Sequence, residues 1–373
     1  MSSKVIAVVG TINSDNTLIV QRVPDPGESV RAQNFKQSCG GKGANAAIAS
    51  FRSSHRCVQK EVQSEDGKEE HQFVKAYDEV AEIEVRLIAA IGDDANGRTC
   101  RANLQANGID ISGVHEVPDS ITGMSFCIVE EDTGQNRVMS HRGANDLHKV
   151  DDYKEPGFLD GVDLLISHLA LPLDIVEQLL ETAGKAGVEI LLNAAPAQSF
   201  YRRLWRYITH LIVNETEAGI LSGREVKDVT VGSCPQIAEM FLKKGAKNVV
   251  ITLGENGAYY ATKGPDGKVI GGHVAALDVE VKDTTGAGDT FVGTYASDYL
   301  QQKSQLRWDI KEAVERASRA SAWTIGAIGA QAAIPWSDQI DSIRAKENAQ
   351  EGTDGVQELI APDDHAHAPQ QET

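Results

Sequence analysis

Between residues 160 and 255 the chain alternates short, wholly apolar runs with amphipathic stretches, and this pattern restricts the fold more than any other feature. "DLLISHL" precedes "PLDIVEQLLETAGKAG", and "EILLN" precedes a helical stretch around "FYRRLWRYI". "HLIVN" runs into "ETEAGILSG", and "PQIAEMFLKKG" leads to "NVVITLG". Strands that are apolar throughout, each followed by a helix, are covered on both faces, which requires a parallel sheet between helical layers. "KVIAVVG" and "VRLIAAIGDD" read as further strands of this kind, and "GANAAIASF" and "ANGRTCRANLQANGI" as further helices. Two stretches fit such a sheet poorly. Residues 15–38 and 113–141 lack helical period and carry turn sequences, "VPDPGE" and Thr133-Gly134, so they are expected to pair as a small separate β layer. Residues 53–82 are dense in charge and are expected to form a solvated insertion, partly helical at best, and residues 343–373 have the composition of a disordered acidic tail. At 373 residues the length allows two domains or one large α/β domain.

In parallel α/β sheets ligands sit beyond the carboxyl ends of the strands. The unusual polar residues fall there: Asn13 and Asp15 after the first strand, Asn193, Asn214 with Glu217, and Thr252 with Gly254. The stretch "DTTGAGDTFVGTY", 283–295, places Gly286, Ala287 and Gly288 immediately before an acid, Asp289, at the start of a helical pattern. An acid in a first helical turn complements the free N–H groups there. A backbone with so little side chain also lets those N–H groups close on a phosphate. Both readings stand on these residues alone. Two glycine motifs are excluded. In "KQSCGGKGAN" Lys36 and Gly43 break a P-loop, and "GAGDTF" puts Phe291 where a dinucleotide fingerprint needs Gly or Ala.

A net charge of −18, from 54 acids and 36 bases, argues against a nucleic-acid surface. Five cysteines, Cys39, Cys57, Cys100, Cys127 and Cys234, are odd in number with no C-x-x-C, as expected of reduced thiols in an intracellular protein. The opening apolar run is too short for a signal-peptide core, and no run approaches the roughly 18 apolar residues of a membrane span.

Four separated motifs occur in order: "GGKGAN" (40–45), "NETE" (214–217), "TLGENG" (252–257) and "DTTGAGDTF" (283–291). With "GTINSD", "VPDPGE", "HRGAN" (141–145) and "GAQAAIP" (329–335), the chain resembles the ribokinase branch of the PfkB carbohydrate kinases over most of residues 4–340. The resemblance implies an α/β three-layer sandwich with a mostly parallel central sheet, a kinase domain over 1–342, and a β-sheet lid from 15–38 and 113–141. It implies transfer of the γ-phosphoryl of ATP to a sugar hydroxyl, with ribose first among the acceptors. Asp289 would be the general base, and the N–H groups of Gly286, Ala287 and Gly288 the anion hole. Asn13, Asp15, Gly41, Lys42, Gly43 and Asn45 match sugar-binding positions. Asn193, Asn214, Glu217, Thr252, Gly254, Gly257 and Gly288 match the nucleotide site, with Asn214 and Glu217 associated with Mg²⁺. Ser318 falls near an adenine-contact position, a poor match. A K⁺ site would comprise Asp283, Thr285, Thr324, Ala327, Gly329 and Ala333. A homodimer through the lid, in the cytoplasm or also in the nucleus, and no nucleic-acid or membrane partner complete the expectation.

One departure bears on specificity. Where ribokinases commonly carry a Glu against the sugar, this chain has Ala170, and no acid follows before Asp174. Another pentose, a ketohexose or a nucleoside therefore remains open as acceptor, as does a non-catalytic sugar- or nucleotide-binding role. His168 is a candidate substrate contact or a structural histidine. His365 and His367 in "DDHAH" suggest a metal only weakly. Trp205, Trp308, Trp323 and Trp336 are expected to pack rather than stack on a base.

Overall fold

The computed structural model describes residues 3–62, 72–77 and 83–344, apart from 132, 134 and 265. Among the described residues nine strands form one large sheet. In chain order they are β1 (Lys4–Val9), β6 (Ile83–Gly92), β7 (Asp110–Val117), β10 (Leu164–His168), β11 (Glu189–Asn193), β12 (His210–Asn214), β13 (Asn248–Thr252), β14 (Ala258–Lys263) and β15 (Val269–Val274). Their spatial order is β15-β14-β13-β12-β11-β10-β1-β6-β7. All neighbours from β13 to β7 pair in parallel, and β14 and β15 add an antiparallel edge. A four-stranded sheet holds β2 (Asn13–Val20), β3 (Asn34–Gly40), β8 (Gly123–Glu130) and β9 (Asn136–His141), in the order β3-β2-β8-β9. The helices are α1 (Lys42–Ser54), α2 (Ala95–Ala106), α3 (Leu173–Ala186), α4 (Glu215–Ser222), α5 (Cys234–Lys244), α6 (Ala287–Ser304), α7 (Ile310–Ile325) and α8 (Ala330–Ala333).

The large sheet is buried on both faces because its strands are apolar at successive positions. Ile6 and Val8 point into one core with α1, α2, α6 and α7, whereas Ala7 and Val9 point into a second with α3, α4 and α5. Strict alternation across the pleat divides one apolar run between two cores. Close registration, with His168 opposite Asn193 and Asn214 opposite Thr252, brings the strand ends to a common carboxyl edge.

Several expectations need correction. The range 113–141 begins too early for the small sheet. β7 lies at the rim of the large sheet, where one covered face gives it the same alternation as a strand of a small layer. Residues 57–62 and 72–77 form an antiparallel hairpin, β4 (Cys57–Val62) with β5 (Gln72–Tyr77), and not partial helix. The remainder of the insertion, 63–71 and 78–82, lies outside the described residues, as does the tail from 345; residues 337–344 are helical. The stretch around "FYRRLWRYI" forms only a 3-10 helix, Arg202–Tyr207.

In the first core, against α6, His210 is fully buried, edge-on to Tyr295, Tyr299 and Trp308, with its Nδ1 2.9 Å from the Tyr295 hydroxyl. Burial, then the charges of Lys303 and Lys247, push its pKa down to about 3. An unfolded histidine titrates near 6.5, so the unfolded chain binds the extra proton first as pH falls. The stability this residue contributes is complete above pH 6.5 and is lost from there towards pH 3. In urea denaturation at stepped pH, His210→Gln is expected to have a shallower pH dependence than wild type below pH 6. The difference should be about 1.4 kcal/mol per pH unit; equal slopes would refute this assignment.

Candidate active site

The site begins at the turn before α6. Gly286 caps the helix with φ +83, a left-handed conformation in which a side chain is strained, and an added Cβ would press on Ala330 at 3.0 Å. At Gly288 an added Cβ would meet nothing within 4 Å, so packing does not require glycine there. The Ala287 N–H turns back to Thr284 O at 3.3 Å, while among the described residues the N–H groups of Gly288 and Asp289 have no partner. Open space over free N–H donors at a helix start is suited to an anion.

Asp289, 6% exposed, stands in the first turn of α6. Its Oδ2 accepts from Asn45 Nδ2 at 2.8 Å, and Lys42 Nζ is 3.8 Å from its Oδ1. Both partners come from the first turn of α1, which "GGKGAN" starts in close contact with β1 and its connection to β2. A Cβ on Gly43 would lie 2.6 Å from the Gly10 backbone and 2.7 Å from Thr11 N, so glycine permits the approach. Gly41, at φ +96, caps the helix.

The small sheet supplies the other wall. Asp15 on β2 accepts from Ser125 Oγ at 2.6 Å. Burial raises its carboxyl pKa, the Ser125 hydrogen bond opposes this, and the negative charge of Asp289 adds to the rise. Asn13 Oδ1 accepts from Asn145 Nδ2 at 2.9 Å. Asn145 also receives the Ile12 N–H and donates to Ile12 O, both at 3.0 Å, fixing the passage from β1 to β2. Sequence reading passed over Asn145 as a site residue, although it closes the quoted "HRGAN".

Along the carboxyl edge, Asn193 is 8% exposed. Asn214 and Glu217 form a capping box: Asn214 Oδ1 accepts the Glu217 N–H and Glu217 Oε2 the Asn214 N–H, each at 2.9 Å. Burial raises Glu217, the Asn214 N–H and Lys42 lower it, and Asp289 raises it. Thr252 Oγ1 is 3.4 Å from Val213 O, and Gly254 and Gly257 turn the chain at φ +53 and +83. Gly257 packs on the backbone of 274–276, a segment that with α7 lines a cleft of about 1400 Å³. Trp323, 37% exposed, lines this cleft, contrary to the packing role expected for it. Trp205, Trp308 and Trp336 do pack, against Phe241, Tyr299 and Phe51. Ser321 Oγ ties α7 to Ala287 O at 2.9 Å, so the cleft adjoins the anion turn.

Asp283, Thr285 and Gly329 form a cluster beside that turn. Asp283 receives the Thr285 and Gly329 N–H groups, each at 2.9 Å. Burial pushes its pKa up, but the Thr285 hydroxyl and N–H, the Gly329 N–H and Lys36 outweigh this and hold it below the usual carboxylate range. Gly329 O accepts one backbone N–H, from Ala333 at 3.2 Å, while Thr324 O accepts from Ala327 at 3.2 Å and also faces the Gly326 N–H.

His168 is 2% exposed, with the Thr11 and Ala170 N–H groups facing its ring nitrogens at 3.1 Å each. Burial, then Lys42, Arg142 and His148, push its pKa down to about 3, leaving it neutral and structural. The Arg142 guanidinium donates to Ala170 O at 2.6 Å and pairs with Asp146. His365 and His367 lie outside the described residues.

A carboxylate and a lysine beside a helix start with free N–H groups, walled by polar groups of a small sheet, suit a group-transfer enzyme. Residues 3–337 match the pfkB family carbohydrate kinases, and the chain belongs to that family. It is an ATP-dependent sugar phosphotransferase. The ribokinase of Schizosaccharomyces pombe is 31% identical over 350 residues, covering 92% of this chain and 99% of that protein. That of Haemophilus influenzae is 33% identical over 333 residues, covering 89% and 95%. A crystal structure of Thermotoga maritima ribokinase superposes with a TM-score of 0.72 at 27% identity, covering 91% and 98%.

Proposed function

We propose that this kinase converts D-ribose to ribose 5-phosphate, using MgATP and activated by K⁺. The observation that carries the reading is the Asp289 carboxylate, held by Asn45 and Lys42 beside the free N–H groups of Gly288 and Asp289. Phosphoryl transfer depends mainly on positioning and charge stabilisation. Asp289 takes the proton of the acceptor hydroxyl as the oxygen–phosphorus bond forms. The 286–288 turn holds the transferring phosphoryl, and Lys42 adds positive charge beside the reacting oxygens. Asn13 and Asp15 bind the remaining sugar hydroxyls through planar pairs of polar atoms. ATP lies along the edge from Asn193 to Thr252, with its base in the cleft beside Trp323.

Glu217 uses one oxygen in the capping box, so its Oε1 and the exposed Asn214 amide would hold hydrated Mg²⁺, which neutralises phosphate charge. The ionised Asp283 with the second lone pair of the Gly329 carbonyl and the nearby Thr324 carbonyl is a donor set suited to K⁺. Thr285, Ala327 and Ala333 complete the proposed shell. Phe35, Val138 and Met139, 56%, 62% and 58% exposed on the small sheet, support dimerisation through that sheet, and the protein would act in the cytoplasm.

A second acceptor, another pentose, a ketohexose or a nucleoside, draws on Ala170, whose carbonyl is covered by Arg142 and which brings no carboxylate to the sugar. ADP release from MgATP across ribose, deoxyribose, ketohexoses and nucleosides, each in K⁺ and in Na⁺, separates these readings. Ribose turnover requiring K⁺ is expected. A higher kcat/KM with another acceptor would move the assignment, and no turnover with any would overturn it.

A further inference from the structure

Asp289 is the end of a chain of side-chain amides that reaches α2 through α8. Asn45 Nδ2 donates to Asp289 Oδ2 at 2.8 Å, Gln331 Nε2 to Asn45 Oδ1 at 2.9 Å, and Asn103 Nδ2 to Gln331 Oε1 at 2.7 Å. Asn45 and Gln331 are 4% and 7% exposed, and Asn103 is half-buried. The backbone of α8 that carries Gln331 is fixed independently. Arg52 Nη1 donates to Gln331 O and Ile334 O, both at 2.8 Å, and Arg52 also grips Asn107 Oδ1.

The order of donors along this chain has only one sense. An ionised carboxylate accepts and cannot donate, so Asn45 must present its NH₂ to Asp289 and its oxygen to Gln331. Gln331 must then present its NH₂ to Asn45 and its oxygen outwards, which calls for a donor at position 103. We propose that Asn103 and Gln331 are positioning residues for the base: they lock the amide of Asn45 donor-first onto Asp289, so that a residue two amides away sets the proton affinity of the catalytic carboxylate. This rests on Asp289 being the base. Asn45 is uncharged; the charged groups acting around Asp289 are Lys42 on α1, Asp15 on β2 and Glu217 with Glu215 on α4, none of them on α2 or α8.

Asn103→Asp tests this directly. An acceptor at 103 draws the NH₂ of Gln331 outwards, turns its oxygen to Asn45, and turns the Asn45 oxygen towards the carboxylate. Asn103→Leu removes the donor without imposing that reversal. In ¹³C-carboxyl aspartate spectra, with the Asp289 signal assigned by its loss in Asp289→Asn, the Asp289 midpoint should rise by about one pH unit in Asn103→Asp and by less in Asn103→Leu. With the acceptor sugar, kcat should fall about tenfold in Asn103→Asp and about threefold in Asn103→Leu, with KM values unchanged and the acid limb of kcat moved up only in the former. An unmoved midpoint in Asn103→Asp, or equal shifts in both variants, would overturn the proposal. The carboxyl titration needs no turnover, so it gives a result even if the sugar-kinase assay fails. A shifted midpoint without any effect on kcat would refute the role of Asp289 as base and leave the amide relay standing as structure only.

Discussion

Asp289→Asn is expected to lower kcat at least a thousandfold, with KM for ATP changed by no more than about twofold. The substitution is nearly isosteric at a 6% exposed position, so packing is preserved while the proton acceptor is lost. The new amide can still accept from Asn45 through its oxygen. ATP binding, which depends on the strand edge and on backbone N–H groups, should persist. Stability should hold or increase, because the charge of Asp289 is one of the influences raising the carboxyl groups of both Asp15 and Glu217. Steady-state ADP release and a thermal melt measure the two effects. A loss smaller than tenfold would exclude Asp289 as the base, and a large drop in Tm would assign it a structural role instead.

The second large effect is expected one helical turn further on. Gly293 faces α1, where an added Cβ would lie 2.5 Å from Ala49 Cβ and 2.6 Å from both Ala46 O and Ser50 N. Two of these three contacts are backbone, which no rotamer change relieves. α1 and α6 must then separate, and α1 carries Asn45 and Lys42 while α6 carries Asp289. Gly293→Val should destabilise the fold by about 2–3 kcal/mol through overpacking. A displacement of roughly 1 Å at the site should lower kcat about a hundredfold. Gly293→Ala should have a smaller effect, since better helix propensity offsets part of the strain by about 1 kcal/mol. Ala49→Gly in that background removes the nearest clashing atom and should recover part of the loss. Urea denaturation together with kcat tests the pair. A Gly293→Val variant with wild-type activity would show that the helix spacing does not set the geometry of the base.

The large sheet and its carboxyl edge were legible because burial on both faces writes a strand as an unbroken apolar run. The first polar residue after such a run, Asn193, Asn214 or Thr252, then marks the carboxyl end. The rim was less legible. β7 reads "DISGVHEV", half polar, and looks like a strand of a small layer because an edge strand is covered incompletely. The antiparallel pair β14 and β15 followed no strand–helix alternation and was not anticipated. The glycine turn and Asp289 were visible as a motif, but the amides that orient the acid were not. Asn103 and Gln331 come from helices separated by more than two hundred residues, and an isolated amide carries no periodicity. Trp323 was misread because a tryptophan on an amphipathic helix gives the same pattern whether it meets a core or a cleft. The charged insertion gave no strand signal, yet part of it pairs as a hairpin.

The division of the interior into two cores has an evolutionary consequence. Asn45, Asn103, Asp289 and Trp323 ride on helices that share the first core, so a repacking error there would displace the proposed base as well as weaken the fold. The second core, under α3 and α5, supports the opposite face and borders the candidate site through the strand ends and α4. Substitutions such as Leu179→Met or Phe241→Leu are expected to change stability and leave kcat unaltered. That face is where lineages are expected to diverge fastest in sequence, and where new attachments can be accepted while catalytic rate is inherited intact.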